Sequence, residues 1–199
     1  MAGGRGSRMG SGVEKPLLEI SGESMLERVI RLLRSCSSIE RIVVASSRST
    51  PATTIRAEEL QVESIITPGD GFEEDMRSAI HQLSLAEVLV ISSDLPFVTP
   101  QVIEEAFRKF WDERKPALAV MAPSDLYEGL GLKPNYVFEI NGRKLVPVGI
   151  NILDGRRINE STLEQTELII DSADALFNVN TPGELESAKK RIVDLQGKA

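Results

Sequence analysis

The chain has 199 residues, 41% of them hydrophobic and none in a run near bilayer-spanning length, so it reads as one soluble domain over residues 1–199, with no membrane insertion. Thirty acidic residues against 23 basic ones give a net charge of −7, which disfavours nucleic acid and anionic membrane surfaces as partners. The lone Cys36 excludes an internal disulfide and, with the single His81, a zinc site; with no apolar segment behind the first arginines to act as a signal peptide, a reducing cytoplasm is the expected compartment.

Elements follow in alternation. The first stretch, MAGGRGSRMGSGVEKPL, is rich in glycine and carries Arg5, Arg8 and Lys15 against the single acid Glu14, so positive charge gathers there in an otherwise acidic chain. Ser24-x-x-Glu27 is a capping-box pattern, and Leu26, Val29, Ile30 and Leu33 share one face of the helix it opens, which runs to Arg34. Ile42–Ala45 reads as a buried strand, 53–60 as a weaker helix, and ESIIT as a second strand. A helix over 72–83 places Met76, Ala79, Ile80 and Leu83 together and leads into EVLVISSDLP, a continuous apolar run of the kind covered on both faces. Thr99-Pro100 offers an N-cap and an N1 proline to a helix carrying Ile103, Ala106, Phe107 and Phe110. ALAVMAP is another buried strand, and Asn141-Gly142 marks a hairpin within 136–153. LFNVN reads as a short strand, and Thr181-Pro182-Gly183-Glu184 as a capping box opening a last helix to about Leu195.

This alternation predicts an α/β fold: a Rossmann-like, mostly parallel sheet with helices on both faces and a small β-hairpin excursion. Such sheets bind ligands beyond the carboxyl ends of their strands, which directs attention to the glycine stretch, SSDLP and NVNTP. Glycines at 3, 4, 6 and 10 leave main-chain N–H groups free to turn toward a phosphate chain, with Arg8 and Lys15 as counter-charge. The stretch is neither G-x-G-x-x-G nor G-x-x-x-x-G-K-[ST], so a nicotinamide dinucleotide site and a Walker loop are both disfavoured.

These segments resemble the MobA-like nucleotidyltransferases, in which an A-G-G-x-G-x-R-M loop and a following K-P-L wrap a nucleoside triphosphate. The resemblance implies a nucleotide-diphospho-sugar transferase-like fold. It implies GTP against Ala2, Gly3, Gly4, Gly6, Ser7, Arg8, Lys15, Gly71, Glu74, Asp75 and Asp94, with Arg8, Lys15 and Asp94 as the catalytic set. It implies Mg²⁺ held by Asp94 and completed from the late segment, where Asn178 and Asn180 are the matching positions and Asn180 is the choice; Asn180 serves equally well as ligand or as orderer of the turn before Thr181. Within the family the chain is most similar to the archaeal adenosylcobinamide-phosphate guanylyltransferases, through Gly71-Phe72-Glu73-Glu74-Asp75, Ser92–Leu95 and the LVPxGIN run at 145–151. That likeness implies transfer of GMP from GTP to adenosylcobinamide phosphate in cobalamin biosynthesis, with Gly149 and Asn151 toward the acceptor, in a monomer or homodimer. The molybdenum-cofactor guanylyltransferases share the first loop and N-x-N-T-P and stand as the alternative; a sugar-phosphate nucleotidyltransferase would bring longer insertions than this chain has room for. A GTP-binding regulatory module that does not turn the nucleotide over represents a different class.

Guanine presents N1–H and N2–H₂ donors, which Asp70, Glu74 or Asp75 can accept. The same residues equally suit a turn and a helix's first turn, and both readings stand. Gly149 fits an ordinary strand as well as an acceptor site. His81 and Trp111 are read as surface and packing residues, and Cys36 as inert. Relatives carry a short hydrophobic strand ahead of A-G-G where this chain has only Met1, which leads us to expect a first central strand about five apolar residues longer.

Overall fold

A computed structural model describes residues 1–4, 6, 9–10, 12–130, 134 and 136–193 in full, and the main chain of 194–196. A 3₁₀ turn at Lys15–Leu17 leads to two short strands, β1 (Glu19–Ile20) and β2 (Glu23–Ser24), paired antiparallel. Helix α1 (Met25–Arg34) starts at the expected capping box: the Glu27 N–H donates to Ser24 Oγ, and the Ser24 N–H donates to Glu27 Oε2 at 2.8 Å. Leu26, Val29, Ile30 and Leu33 are all buried, Val29 and Leu33 in the main core cluster and Leu26 and Ile30 in a second one with Val44 and Ala57, so the helix packs against both and its roll is fixed.

β3 (Val43–Ser47), α2 (Pro51–Glu59) and β4 (Glu63–Thr67) form a parallel β-α-β unit, with Val43 opposite Glu63 and Ser47 opposite Thr67. Helix α3 (Phe72–Leu83) has the expected bounds, with Ala79 and Ile80 buried. It is followed by β5 (Glu87–Ile91), α4 (Pro100–Glu113), β6 (Ala117–Pro123) and α5 (Ser124–Gly129). Pro100 sits at the start of α4 as expected, but the Thr99 side chain makes no capping bond.

β7 (Phe138–Ile140) turns at Asn141-Gly142 into the twelve-residue β8 (Arg143–Asp154). Asn141 and Gly142 have φ of 51° and 74°, the paired positive values that a two-residue hairpin turn matched to strand twist requires. β8 runs antiparallel between β5 and β6, so the larger sheet is mixed: the hairpin returns the chain in the opposite sense to its neighbours. β9 (Gln165–Ile169) extends it parallel to β6, and α6 (Pro182–Gln196) closes the chain.

One expected strand is absent. LFNVN at 176–180 is an irregular segment, although Leu176, Phe177 and Val179 are buried. Its apolar residues fill the core from a loop: Val179 N–H donates to Asp94 O at 3.0 Å, one main-chain bond in place of a ladder. Conversely, β9 and α5 have no counterpart among the expected elements.

Alternation along β8 shows how the core is layered. Ile150 and Ile152 face a cluster with Ile103, Phe107 and Phe110 of α4, whereas Leu153 faces a separate cluster with Ile80 of α3. Helices therefore cover both faces, and the loops leaving the strands' carboxyl ends are the free surface on which a site can be built.

Candidate active site

The first residues are pinned to the sheet. Ala2 N–H donates to Ala45 O at 2.7 Å, the Met1 ammonium donates to Ile91 O at 2.7 Å, and Ser93 N–H donates to Met1 O at 3.0 Å. Gly3 then crosses the end of β3, its carbonyl accepting from Ser47 Oγ at 2.8 Å. A Cβ at Gly3 would stand 3.1 Å from Ser47 Cβ. Gly4 has open space around it, free for a ligand to approach. Gly6 has φ of 58°, and a Cβ there would come within 2.9 Å of Lys15 Cβ, so this position needs glycine both for its backbone and for the closeness of Lys15. Ser7 and Arg8 lie outside the described residues.

The far end of the loop is held by Glu14. Its carboxylate accepts from Ala52 N–H at 2.8 Å, Thr53 N–H at 2.7 Å and Thr53 Oγ1 at 2.6 Å. These are unpaired donors in the first turn of α2, whose own cap residue Thr50 makes no side-chain capping bond. Glu14 is thus a remote cap that ties the loop to the helix. In the sequence it registers only as a charge; E-K-P-L together with a proline-led helix start is the signal available for it.

Lys15 enters the site from the 3₁₀ turn, backed by buried Pro16. Its ammonium donates to Asp94 Oδ2 at 2.5 Å and to Asn180 Oδ1 at 2.7 Å. The Lys15 and Asp94 side chains are 15% and 17% exposed, shielded yet open at one lip. Three chain segments meet at this ammonium: the end of the glycine loop, the turn after β5, and the approach to α6. Two further contacts fix the latter pair relative to each other. Phe97 and Phe177 pack edge to face with centroids 5.6 Å apart, and Val179 N–H reaches Asp94 O. Asn180 is held in turn by the expected capping box, with its N–H and that of Thr181 donating to Glu184 Oε2 at 2.6 and 2.9 Å. Turn-ordering and side-chain contact are therefore both features of Asn180. Asn178 is half-buried in the same segment, and Lys15 is bonded to Asn180.

Tyr127 of α5, 2% exposed, lies within the field of Asp94; burial first, and that carboxylate second, push its hydroxyl up to about 12, so it stays protonated throughout the physiological range. No sequence pattern marks it: SDLYEGL reads as a loop.

The loop after β4 stands beside the glycine loop, since a Cβ at Gly69 would meet Ser47 Cβ at 3.4 Å. Buried Asp75 accepts from Gly69 N–H at 2.7 Å and so orders this loop, while Asp70, Gly71 and Glu74 are exposed. Gly149 abuts the turn after β5, its carbonyl accepting from Ser92 N–H at 3.1 Å. Asn151, two residues along β8 on the same face, pairs with Val90 and Ala119 and is half-buried.

Over residues 1–145 the chain matches the MobA-like NTP transferase domain. It belongs to that family. The MobA-like chain is accordingly a nucleotidyltransferase. It is 34% identical over 199 residues to the adenosylcobinamide-phosphate guanylyltransferase of Methanocaldococcus jannaschii, covering 95% of this chain and 93% of the relative. It is 30% identical over 190 residues to a probable molybdenum cofactor guanylyltransferase of Pyrococcus horikoshii, covering 93% and 94%. The molybdopterin-guanine dinucleotide biosynthesis protein A of Archaeoglobus fulgidus shares its fold, with a TM-score of 0.66 at 19% identity over 97% of this chain and 96% of that one. Among the described residues of the MobA-like chain no helix is long and apolar enough to cross a membrane.

Proposed function

We propose that the protein transfers GMP from GTP to adenosylcobinamide phosphate, releasing pyrophosphate and forming adenosylcobinamide-GDP. The observation that carries the nucleotidyl-transfer half of this reading is the Lys15 ammonium bridging Asp94 and Asn180 beside the open glycine loop. The acceptor half is supported by the 34% identity to the M. jannaschii enzyme across nearly the whole of both chains.

The acceptor's phosphate monoester has its second pKa near ~6 and arrives at neutral pH mostly as a dianion, so its oxygen is already a nucleophile. That oxygen forms a bond to the α-phosphorus of GTP while the bond from the α-phosphorus to the β-bridging oxygen breaks, and the electron pair leaves on pyrophosphate. No general base is required. The protein's tasks are to hold the two phosphate groups in line and to offset their mutual repulsion. Main-chain N–H groups of the glycine loop face the triphosphate, and Lys15 exchanges its bonds to Asp94 and Asn180 for phosphate oxygens as the nucleotide enters. Arg8 is assigned to the same phosphates. Asp75 keeps the loop after β4 in place, leaving Gly71 and Glu74 to meet the guanine edge, and Gly149 and Asn151 receive the acceptor.

The donor set suits a hard divalent cation. Asp94 and Asn180 present carboxylate and carbonyl oxygens close enough to share one ammonium, and among the described residues there is no cluster of three or more His, Cys, Asp or Glu side chains to draw the ion elsewhere. Mg²⁺ held by Asp94 and Asn180 would supply charge neutralisation at the phosphates, the remaining ligands being nucleotide oxygens and water.

A second acceptor, the molybdenum cofactor, is favoured by the 30% identity to the P. horikoshii protein over 93% of the chain. Pyrophosphate release with GTP and Mg²⁺ across both acceptors, and with the other nucleotides in place of GTP, tests the reading. Turnover is expected with GTP and adenosylcobinamide phosphate; faster release with the molybdenum cofactor would replace the acceptor, and none with either would remove the proposal.

A further inference from the structure

Tyr127 combines deep burial with an unused hydroxyl. The residue is 2% exposed, and its ring belongs to the main core cluster together with Ala122 of β6, Val146 and Val148 of β8 and Leu95 from the turn after β5. Among the described residues its hydroxyl has no hydrogen-bond partner, whereas a buried phenol ordinarily finds one. The fully enclosed side-chain polar atom without a partner among them is Arg28 Nε, so the Tyr127 oxygen reaches an opening. Asp94 is near enough for its charge to act on that oxygen. β8 is antiparallel to β5 and to β6, so those two strands run the same way, and Asp94 and α5 both emerge beyond their carboxyl ends. The glycine loop starts between β3 and β5, since Met1 bonds to Ile91 and Ala2 to Ala45. Helix α5 follows β6, beyond β8, and so brings Tyr127 in from the other side of Asp94.

We propose that the Tyr127 hydroxyl donates a hydrogen bond to the phosphate monoester of the acceptor and so positions that group against the nucleotide. The inference rests on the reading above, in which a phosphate-bearing acceptor attacks GTP, and it asks nothing of the acceptor beyond that phosphate. Placement supports it. In-line displacement brings the attacking oxygen to the α-phosphorus from the side opposite the departing pyrophosphate, so the two phosphate groups have to be held from different directions. The glycine loop and Lys15 reach the site from the β3 side, and Tyr127 reaches it from the β6 side. The chemistry of the group agrees. Burial first, and Asp94 second, push the phenol up to about 12, so at neutral pH it is an uncharged O–H donor. An ionised oxygen there would repel the incoming dianion, and a cationic donor would draw more charge from the attacking oxygen; a neutral phenol orients the phosphate and leaves it nucleophilic. The ring is already fixed by the core, so little side-chain freedom is lost when the contact forms.

Tyr127→Phe keeps the packed ring and deletes the oxygen, and equilibrium dialysis reads the consequence without turnover. The protein is loaded with Mg²⁺ and a GTP analogue carrying a methylene bridge between the α- and β-phosphorus, then offered adenosylcobinamide phosphate or adenosylcobinamide, which lacks the phosphate. The variant is expected to bind the phosphorylated corrinoid roughly 10- to 100-fold more weakly, the range for a hydrogen bond to a charged group, with the unphosphorylated corrinoid, the analogue's own Kd and Tm unchanged. A ring that only fills the core would treat both corrinoids alike, so equal weakening of both, or of neither, would overturn the proposal. Weaker binding of the analogue would place the hydroxyl on the nucleotide and overturn it as well. A parent protein with no preference for the phosphorylated corrinoid would remove the acceptor reading and this inference with it, an outcome that the parent's own affinities tell apart from failure of the inference alone.

Discussion

Replacing Lys15 by Met keeps most of the side chain's apolar stem and deletes the ammonium that holds Asp94 at 2.5 Å and Asn180 at 2.7 Å. Two magnitudes follow, and they differ. A fully buried pair broken on one side costs ~3–5 kcal/mol and an exposed pair ~0–1 kcal/mol. With the two side chains 15% and 17% exposed at the lip of a cleft, the released Asp94 can recover hydration, which puts the loss near ~2 kcal/mol, or a Tm lower by roughly 6 °C. In catalysis the missing cation faces charge that builds on the phosphates, a role whose removal lowers kcat by about 10²–10³-fold. Thermal melts by circular dichroism and steady-state pyrophosphate release at saturating GTP separate the two quantities. A variant with the lower Tm and a kcat within a few-fold of the parent would show that Lys15 only braces the loops. Asp94→Asn and the double variant complete a cycle: strong coupling in stability with none in kcat would likewise reduce Lys15 to a brace.

Gly6→Ala places a Cβ 2.9 Å from that of Lys15 in a left-handed backbone, so kcat/KM is expected to fall roughly tenfold or more while Tm drops only slightly; an unchanged kcat/KM would mean the loop adapts freely. Glu14→Ala removes the remote cap of α2, an expected loss of ~1–2 kcal/mol seen in denaturant melts, with a raised KM for the nucleotide; unaltered stability would show the cap to be idle. The Met1 ammonium, lowered by burial to about 6 from 8.0, binds its proton less well folded than unfolded, so stability gains about 2 kcal/mol as pH rises from 6 to 8 and loses it again as pH falls. Denaturant midpoints across that range check it, and a flat profile would contradict the burial.

Much of the fold was legible because local signals agreed with tertiary ones. Ser24 and Glu27 cap α1 and Asn141-Gly142 turns β7 into β8, and the apolar period over 72–83 places α3; in each case short-range chemistry and core burial pull the same way. LFNVN misled because the apolar residues there are buried from a loop, and burial without a neighbouring ladder has the same sequence texture as a strand. β9 was overlooked because only Leu168 and Ile169 of its five residues are apolar, and Gln165, Thr166 and Glu167 continue the polar stretch before it. For the site, the glycine loop was visible as composition and the resemblance grouped Lys15, Asp94 and Asn180, but no local pattern could show the direct bonds of the Lys15 ammonium to the other two, which span separations of 79 and 165 positions. Glu14 and Tyr127 escaped for the same reason, since each acts on a segment distant in sequence.

The most direct test follows label from GTP carrying ³²P at the α-position, in a single turnover with adenosylcobinamide phosphate and Mg²⁺. The account predicts that the label moves stoichiometrically into the corrinoid product while unlabelled pyrophosphate is released, and that this transfer is severely slowed in Lys15→Met. Label left in GTP by a folded, nucleotide-bound protein, or released as free GMP without appearing in the acceptor, would contradict it.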